Sequence, residues 1–87
     1  MKVSGDVVFR ELDGEGVILN LTSGIYFGLD GTGTRMWQLI EEHGRLSVVL
    51  SALCDEYEAL PEAIERDLLS LVSELAEKGL LVPREGA

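Results

Sequence analysis

The sequence has little of several features that would define a protein class. It holds one cysteine and two prolines in 87 residues, and no apolar run approaches the ~20 residues of a membrane span. A single cysteine excludes an internal disulfide and is typical of a reducing compartment. The N-terminus is too polar after Lys2 for a signal peptide. We therefore expect a cytoplasmic protein.

Basic side chains are also scarce. Seven Lys and Arg stand against 16 Asp and Glu, which gives a formal net charge of -9. Phosphate backbones and anionic membranes bind basic surfaces, so neither nucleic acid nor a membrane is an expected partner. The same charge favours a partner that carries basic residues.

Residue patterns for catalysis or for a bound metal are missing as well. Cys54 lies on the apolar stripe of a predicted helix, and no histidine or second cysteine has the spacing of a catalytic partner. His43 stands beside a glycine at a predicted helix end. Gly31-Thr32-Gly33 lacks the third glycine of a dinucleotide fingerprint, because Met36 occupies that place. We expect a protein that is not an enzyme and that holds no cofactor and no metal.

What the sequence does have is the hydrophobic content of a folded chain, 46%. We expect one small domain over residues 1–87, with its core at about residues 7–82. Residues 1–6 are predicted to be a loose lead-in, and residues 83–87 are predicted to fray.

Three short strands are predicted first: Val7–Leu12, Val17–Leu21 and Ile25–Leu29. A three-residue loop at 22–24, with Gly24 left-handed, would place six large apolar side chains on one face of the second hairpin. These are Val17, Leu19, Leu21, Ile25, Phe27 and Leu29.

The first hairpin leaves its register open. With a turn at 13–16, a five-residue loop would place Phe9 beside Leu19, and a four-residue loop would place Leu12 beside Val17. Either loop gives a meander in sequence order, with the third strand at an edge of the sheet.

Three helices follow the strands. Asp30 or Thr32 caps the first, which buries one face and ends at Gly44. That face consists of Gly33, Met36, Trp37 and Ile40.

The second helix begins at a Ser47 cap and carries an apolar stripe, formed by Leu46, Leu50, Leu53, Cys54 and Tyr57. Pro61 opens the third, Gly79 ends it, and 80–82 form a short extended tail. We expect one core that contains Leu19, Phe27, Trp37, Leu50, Leu53, Leu68 and Leu75.

The third helix has more apolar surface than it needs to pack on a core. Ile64, Leu68, Leu71 and Leu75 fall within one narrow arc. Leu69, Val72 and Ala76 extend the apolar surface on one side of that arc. Two interpretations remain open for this strip: burial between the other helices, or one wall of a groove.

The order and spacing of these segments resemble a known family, the PQQ-biosynthesis D protein and its relatives. The resemblance rests on Val17–Leu21, Thr22–Asp30, Gly33–Trp37 and Leu71–Leu81, which match an apolar strand, a small-residue turn, an aromatic strand, a helix with an apolar-Trp pair and the end of the third helix. It implies an α+β fold like a winged helix-turn-helix, with a three-stranded antiparallel meander followed by three helices.

The resemblance also implies a function. Members of the family recognise precursors of ribosomally made, modified peptides by binding their leader segment, which adds as an antiparallel strand beside the third helix. A short, free-standing, acidic version looks most like those of lasso-peptide pathways, where the partner enzyme is a leader peptidase. The leader would place a tyrosine, a proline and a leucine in pockets. The implied peptide-binding residues are Ile25, Tyr26, Phe27, Gly28, Leu29, Glu65, Leu68, Leu69, Val72 and Ala76.

Two other functions use similar elements. A winged-helix DNA-binding protein would need a basic recognition helix, whereas the second and third helices are net acidic. A generic interaction subunit would use the apolar strip of the third helix as a dimer interface.

Overall fold

The computed structural model describes residues 2–3 and 5–82 and has a three-stranded antiparallel sheet followed by three helices. This arrangement confirms the predicted α+β fold. In chain order the elements are β1 (Lys2–Val3), β2 (Val7–Leu12), β3 (Glu15–Asn20), β4 (Tyr26–Leu29), α1 (Gly31–His43), α2 (Leu46–Glu56), α3 (Pro61–Glu77) and β5 (Leu81–Val82).

The strands form two sheets. β2, β3 and β4 pair in sequence order, so β4 is an edge strand, as predicted. β1 pairs with β5, with Val3 opposite Leu81. The prediction of a loose lead-in was therefore wrong for residues 2–3, because the extended tail after α3 provides them with a partner strand. The predicted fraying of residues 83–87 lies outside the described residues.

The first hairpin has a shorter turn than either predicted alternative. Leu12 pairs with Glu15, which leaves only Asp13 and Gly14 in the loop. Both have positive φ, 54° and 82°, as a type I′ turn requires. The shorter turn adds Glu15 and Gly16 to the start of β3. Gly16 is buried on the core face, where an added Cβ would lie 2.5 Å from the Phe9 ring.

The predicted register of the second hairpin was wrong by one residue. Ile18, not Leu19, lies opposite Phe27. The Asn20 Oδ1 accepts hydrogen bonds from the amides of Thr22 and Ser23, and the Asn20 carbonyl accepts one from Gly24. This turn lengthens the loop to four residues, 21–24. Because a shift of one residue exchanges the faces of a strand, Ile18 is buried and Leu21 is exposed.

The hydrophobic core lies between one face of the β2–β3–β4 sheet, its core face, and the three helices. Trp37 is fully buried, and its ring centroid is 6.1 Å from that of Phe9. Of the seven predicted core residues, four are fully buried: Trp37, Leu53, Leu68 and Leu75. Phe27 and Leu50 pack against the core while partly buried, and Leu19 lies outside it because of the shifted register.

The predicted ends of α1 are confirmed, but the predicted start of α2 is not. Asp30 caps α1 by accepting from the Gly33 amide at 2.7 Å, and Gly44 follows with φ 72°. The predicted Ser47 cap was wrong, because α2 starts at Leu46 with Arg45 at the cap position and no capping side chain. Val49 lies one turn after Leu46 on the same face of α2 and is fully buried, although the predicted stripe omitted it.

A charged pair joins α1 to α2. The Arg35 guanidinium donates two hydrogen bonds to the Glu56 carboxylate, each 2.7 Å long. These bonds lower the pKa of Glu56 below its ordinary value and raise the pKa of Arg35. Both side chains remain over a third exposed.

Candidate functional site

The open side of β4 is the first component of the site. In the part of the chain that the structure describes, β4 pairs with β3 on one side only. The Asn20 amide donates to the Ile25 carbonyl, so Asn20 and Ile25 form a hydrogen-bonded pair. Since such pairs alternate along an antiparallel ladder, Phe27 and Leu29 direct their backbone groups toward β3. Tyr26 and Gly28 direct theirs toward the open edge.

Nothing in the sequence of β4 protects this edge. Residues 26–29 contain neither proline nor a charged side chain, the usual features that prevent an edge strand from pairing. An added Cβ at Gly28 would meet no atom within 4 Å. The face of β4 is therefore open at Gly28, beside the unpaired edge.

A cleft of about 370 Å³ lies beside this edge. We name it the β4–α3 cleft. β4 contributes Phe27, Gly28 and Leu29, and α3 contributes Asp67 and Leu71. The junction of β4 with α1 closes one end with Asp30, Thr32, Gly33 and Met36.

Two contacts establish the direction of α3 along the cleft. Lys78 Nζ lies 5.9 Å from the centroid of the Phe27 ring. The side-chain amide of Asn20 donates to the carbonyl of Gly79 at 3.4 Å. The end of α3 therefore lies near the start of β4, while Asp67 shares the cleft with Leu29. The helix and the strand run in opposite directions.

The structure brings only some of the predicted site residues together. Phe27, Gly28 and Leu29 line the cleft, whereas Leu68 is 1% exposed and belongs to the core. Ile25 and Tyr26 are exposed where the chain enters β4, beside the cleft. At about 100° per residue, Leu69 lies roughly 160° around α3 from Leu71. On that far flank lie the remaining predicted residues: Glu65, Leu69, Val72 and Ala76.

Sequence reasoning missed the α3 residues that do line the cleft. Leu71 was assigned to the core arc, and it is in fact half-buried with one side toward the cleft. Asp67 was not among the predicted site residues. Which flank of α3 faces β4 depends on packing between elements distant in sequence, so the helical pattern alone could not identify either residue.

The described residues show few other candidate sites. They contain no group of three or more His, Cys, Asp or Glu side chains placed to hold a metal ion. Cys54 is half-buried, and His43 Nε2 lies 3.9 Å from Glu42. Among those same residues, no helix is both long and apolar enough to cross a membrane.

Two solved structures resemble all or nearly all of the chain. "TbiB1 in Complex with the TbiA(beta) Leader Peptide" is 44% identical with a TM-score of 0.87, covering 100% of this chain and 98% of that one. "Lasso peptide synthetase B1 complexed with the leader peptide" is 28% identical with a TM-score of 0.81, covering 93% and 95%. Both relatives are thus bound to a leader peptide.

Sequence comparison gives the family. No curated protein is similar enough to count as a match. The sequence profile described as "Coenzyme PQQ synthesis protein D (PqqD)" matches residues 15–81, from β3 to the start of β5. The resemblance inferred from strand, turn and helix pattern is therefore confirmed, and the chain belongs to the PqqD family.

Proposed function

We propose that this protein binds the leader segment of a ribosomally synthesised precursor peptide, in a lasso-peptide pathway. The observation that carries the proposal is the unprotected edge of β4 beside an open cleft. Two relatives of similar length and the same fold, one of them 44% identical, are leader-peptide complexes. Their likeness supports a leader as the ligand of this edge.

In this proposal the leader adds to the sheet as an antiparallel strand. The amides and carbonyls of Tyr26 and Gly28 provide two donors and two acceptors, which hydrogen-bond the leader backbone regardless of its sequence. Specificity then comes from side chains that enter the cleft. Phe27, Met36 and Leu71 offer apolar surface there, so one or two apolar anchors of the leader should provide most of the affinity.

The protein itself carries out no chemistry in this proposal. It holds the precursor and presents it to a separate processing enzyme, a leader peptidase, in the cytoplasm. The net charge of -9 favours a leader with basic residues and disfavours nucleic acid as an alternative ligand.

The test is titration of a labelled leader by fluorescence anisotropy. Two probes are used: the TbiA(beta) leader, and the leader of a short precursor sought among the genes that neighbour this protein's own. Leu71→Asp would bury a charge in the cleft and should weaken binding by about 10- to 100-fold, or ~1.4–2.7 kcal/mol. Ser70→Asp adds the same charge on the exposed side of α3 and is the matched control.

Leu69→Asp distinguishes the two flanks of α3. A larger loss for Leu69→Asp than for Leu71→Asp would move the site to the flank of Leu69, Val72 and Ala76, as the sequence pattern predicted. Thermal melts must show that each variant is folded. If the wild-type protein binds neither leader, leader recognition is the wrong function.

A further inference from the structure

We propose that the β4–α3 cleft selects leaders by their charge pattern. The preferred leader places a basic residue at the end of the cleft near α1 and an acidic residue about five positions later in its sequence. This inference rests on the proposed function and specifies its ligand. It follows from the opposite charges at the two ends of the cleft and from the direction of α3.

The end of the cleft near α1 is acidic. Asp30 and Asp67 both line it. Asp30 uses Oδ1 to cap α1. Among the described residues the ion pairs are Arg35–Glu56 and His43–Glu42, so no basic side chain neutralises Asp67. Met36 and Leu71 provide apolar surface beside the two carboxylates. A lysine or arginine suits this combination, since its stem packs on apolar surface while its charged head reaches a carboxylate.

A basic side chain, Lys78, lies beside the opposite end of the cleft, next to the lining residue Phe27. Its amino group lies over the Phe27 ring. Glu74 lies one turn earlier on the same flank of α3, yet it forms no ion pair with Lys78 within the described residues. The Lys78 amino group is therefore available to an acidic side chain of a ligand that passes Phe27.

The direction of α3 determines the order in which a bound leader meets these two charges. A leader antiparallel to β4 runs in the same direction as α3, so it meets Asp67 first and Lys78 last. Eleven residues of helix separate the two, about 16 Å at 1.5 Å per residue. An extended strand covers that distance in about five residues. The matching leader has a basic residue followed about five positions later by an acidic one.

This pattern would also fix the direction of the leader. Backbone hydrogen bonds at Tyr26 and Gly28 would accept a strand in either direction. A reversed leader would bring its acidic residue to Asp67 and its basic residue to Lys78, and such like-charge contacts oppose binding. The two ends of the cleft thus select one of two orientations that the open edge alone would permit.

The experiment reverses each charge in the protein and in the leader. Asp67→Lys and Lys78→Glu are titrated with the same two leaders as above. Each leader is also made with its basic and acidic residues replaced by alanine, one at a time. Because the pairs are exposed, each reversal should weaken binding by about three- to tenfold.

Matched controls carry the same charge change elsewhere on α3. Glu62→Lys lies roughly 140° from Asp67 around the helix, and Arg66→Glu lies roughly 120° from Lys78. Both should change the affinity by less than about twofold. We expect the effect of Asp67→Lys to disappear when one basic leader residue is removed, and that of Lys78→Glu when an acidic residue about five positions later is removed.

Three results would overturn the inference. The first is tight leader binding by the wild-type protein that neither charge reversal weakens. This result would leave the proposed function intact. The second is the reverse order along the leader, in which the acidic residue coupled to Lys78→Glu comes before the basic residue coupled to Asp67→Lys. The third is the absence of any leader binding, which rejects the proposed function together with this inference.

Discussion

At the scale of single residues, Trp37 is the largest buried side chain, 0% exposed and in contact with the sheet through Phe9. Trp37→Ala should lower the free energy of unfolding by ~3–5 kcal/mol, because it leaves a cavity that so small a domain cannot fill. That loss corresponds to a fall in melting temperature of more than about 12 °C. Thermal and urea denaturation monitored by circular dichroism measure it.

Trp37→Phe is the control for this prediction. It keeps most of the apolar volume and removes an indole N–H that has no hydrogen-bond partner in the described structure. The loss should therefore be well below that of the alanine variant. Equal melting of Trp37→Ala and wild type would show that the core lies elsewhere.

The Arg35–Glu56 pair predicts a pH dependence. Hydrogen bonds from Arg35 lower the pKa of Glu56 from 4.5, so the pair stabilises the fold at a pH above that value. This contribution is lost as the pH falls through the lowered pKa of the folded state. The difference in melting temperature between wild type and Glu56→Gln should be constant above pH 4.5 and shrink below it.

Glu41→Gln is the comparison for that titration. Glu41 is exposed on α1 and forms no ion pair among the described residues. Its variant removes the same charge from α1 and leaves the Arg35–Glu56 bonds in place, so it should melt close to wild type. A Glu56→Gln difference that grows as the pH falls would contradict the assignment of the pair.

Several single residues could be predicted because their chemistry is local. Asp30 caps α1, Gly44 ends it in the left-handed region, and Pro61 occupies the first turn of α3. The chemistry of Asn20 is equally local, since its side chain accepts from the amides two and three residues later. It was missed because the preference for six apolar residues on one face favoured another register, and these bonds outweigh that preference.

At the scale of elements, the one-residue shift changes which β3 residues face the core, because Ile18 replaces Leu19 opposite Phe27. On β4, Phe27 and Leu29 stay on the predicted inner face, and the backbone groups of Tyr26 and Gly28 lie at the open edge. The edge position of β4 was predictable, since a meander of three strands has two edges. The flank of α3 that faces β4 was not, because it depends on packing between elements distant in sequence.

Gly28 allows a direct test of strand addition. Gly28→Pro removes an outward N–H that β3 does not use, and proline is tolerated at such edge positions. The variant should remain folded and bind a leader at least about tenfold more weakly, as expected for a lost backbone bond and a blocked edge. Gly28→Ala keeps the N–H and is the matched control.

Amide exchange reports the same event in the wild-type protein. Leader addition should slow hydrogen exchange at Tyr26 and Gly28, whose amides are free in the unbound sheet. Phe27 and Leu29 already donate to β3 and should change less. New protection at neither Tyr26 nor Gly28 in a leader-saturated sample would exclude strand addition at β4.

At the scale of the whole molecule, the net charge of -9 acts on a basic leader before contact. Long-range attraction mainly speeds encounter, whereas contacts in the cleft determine dissociation. Raising the salt concentration from 0.01 to 0.15 M shortens the screening length from about 30 Å to about 8 Å. Association should therefore slow as salt increases, with dissociation nearly unchanged.

The charge variants separate this steering from the contacts in the cleft. Glu62→Lys and Asp67→Lys change the net charge equally, so stopped-flow measurement should find association slowed to a similar extent in both. Only Asp67→Lys should also speed dissociation, because only Asp67 lines the cleft. If association is indifferent to salt in the wild-type protein, the acidic surface has no part in capturing the leader, and its charge must serve another purpose.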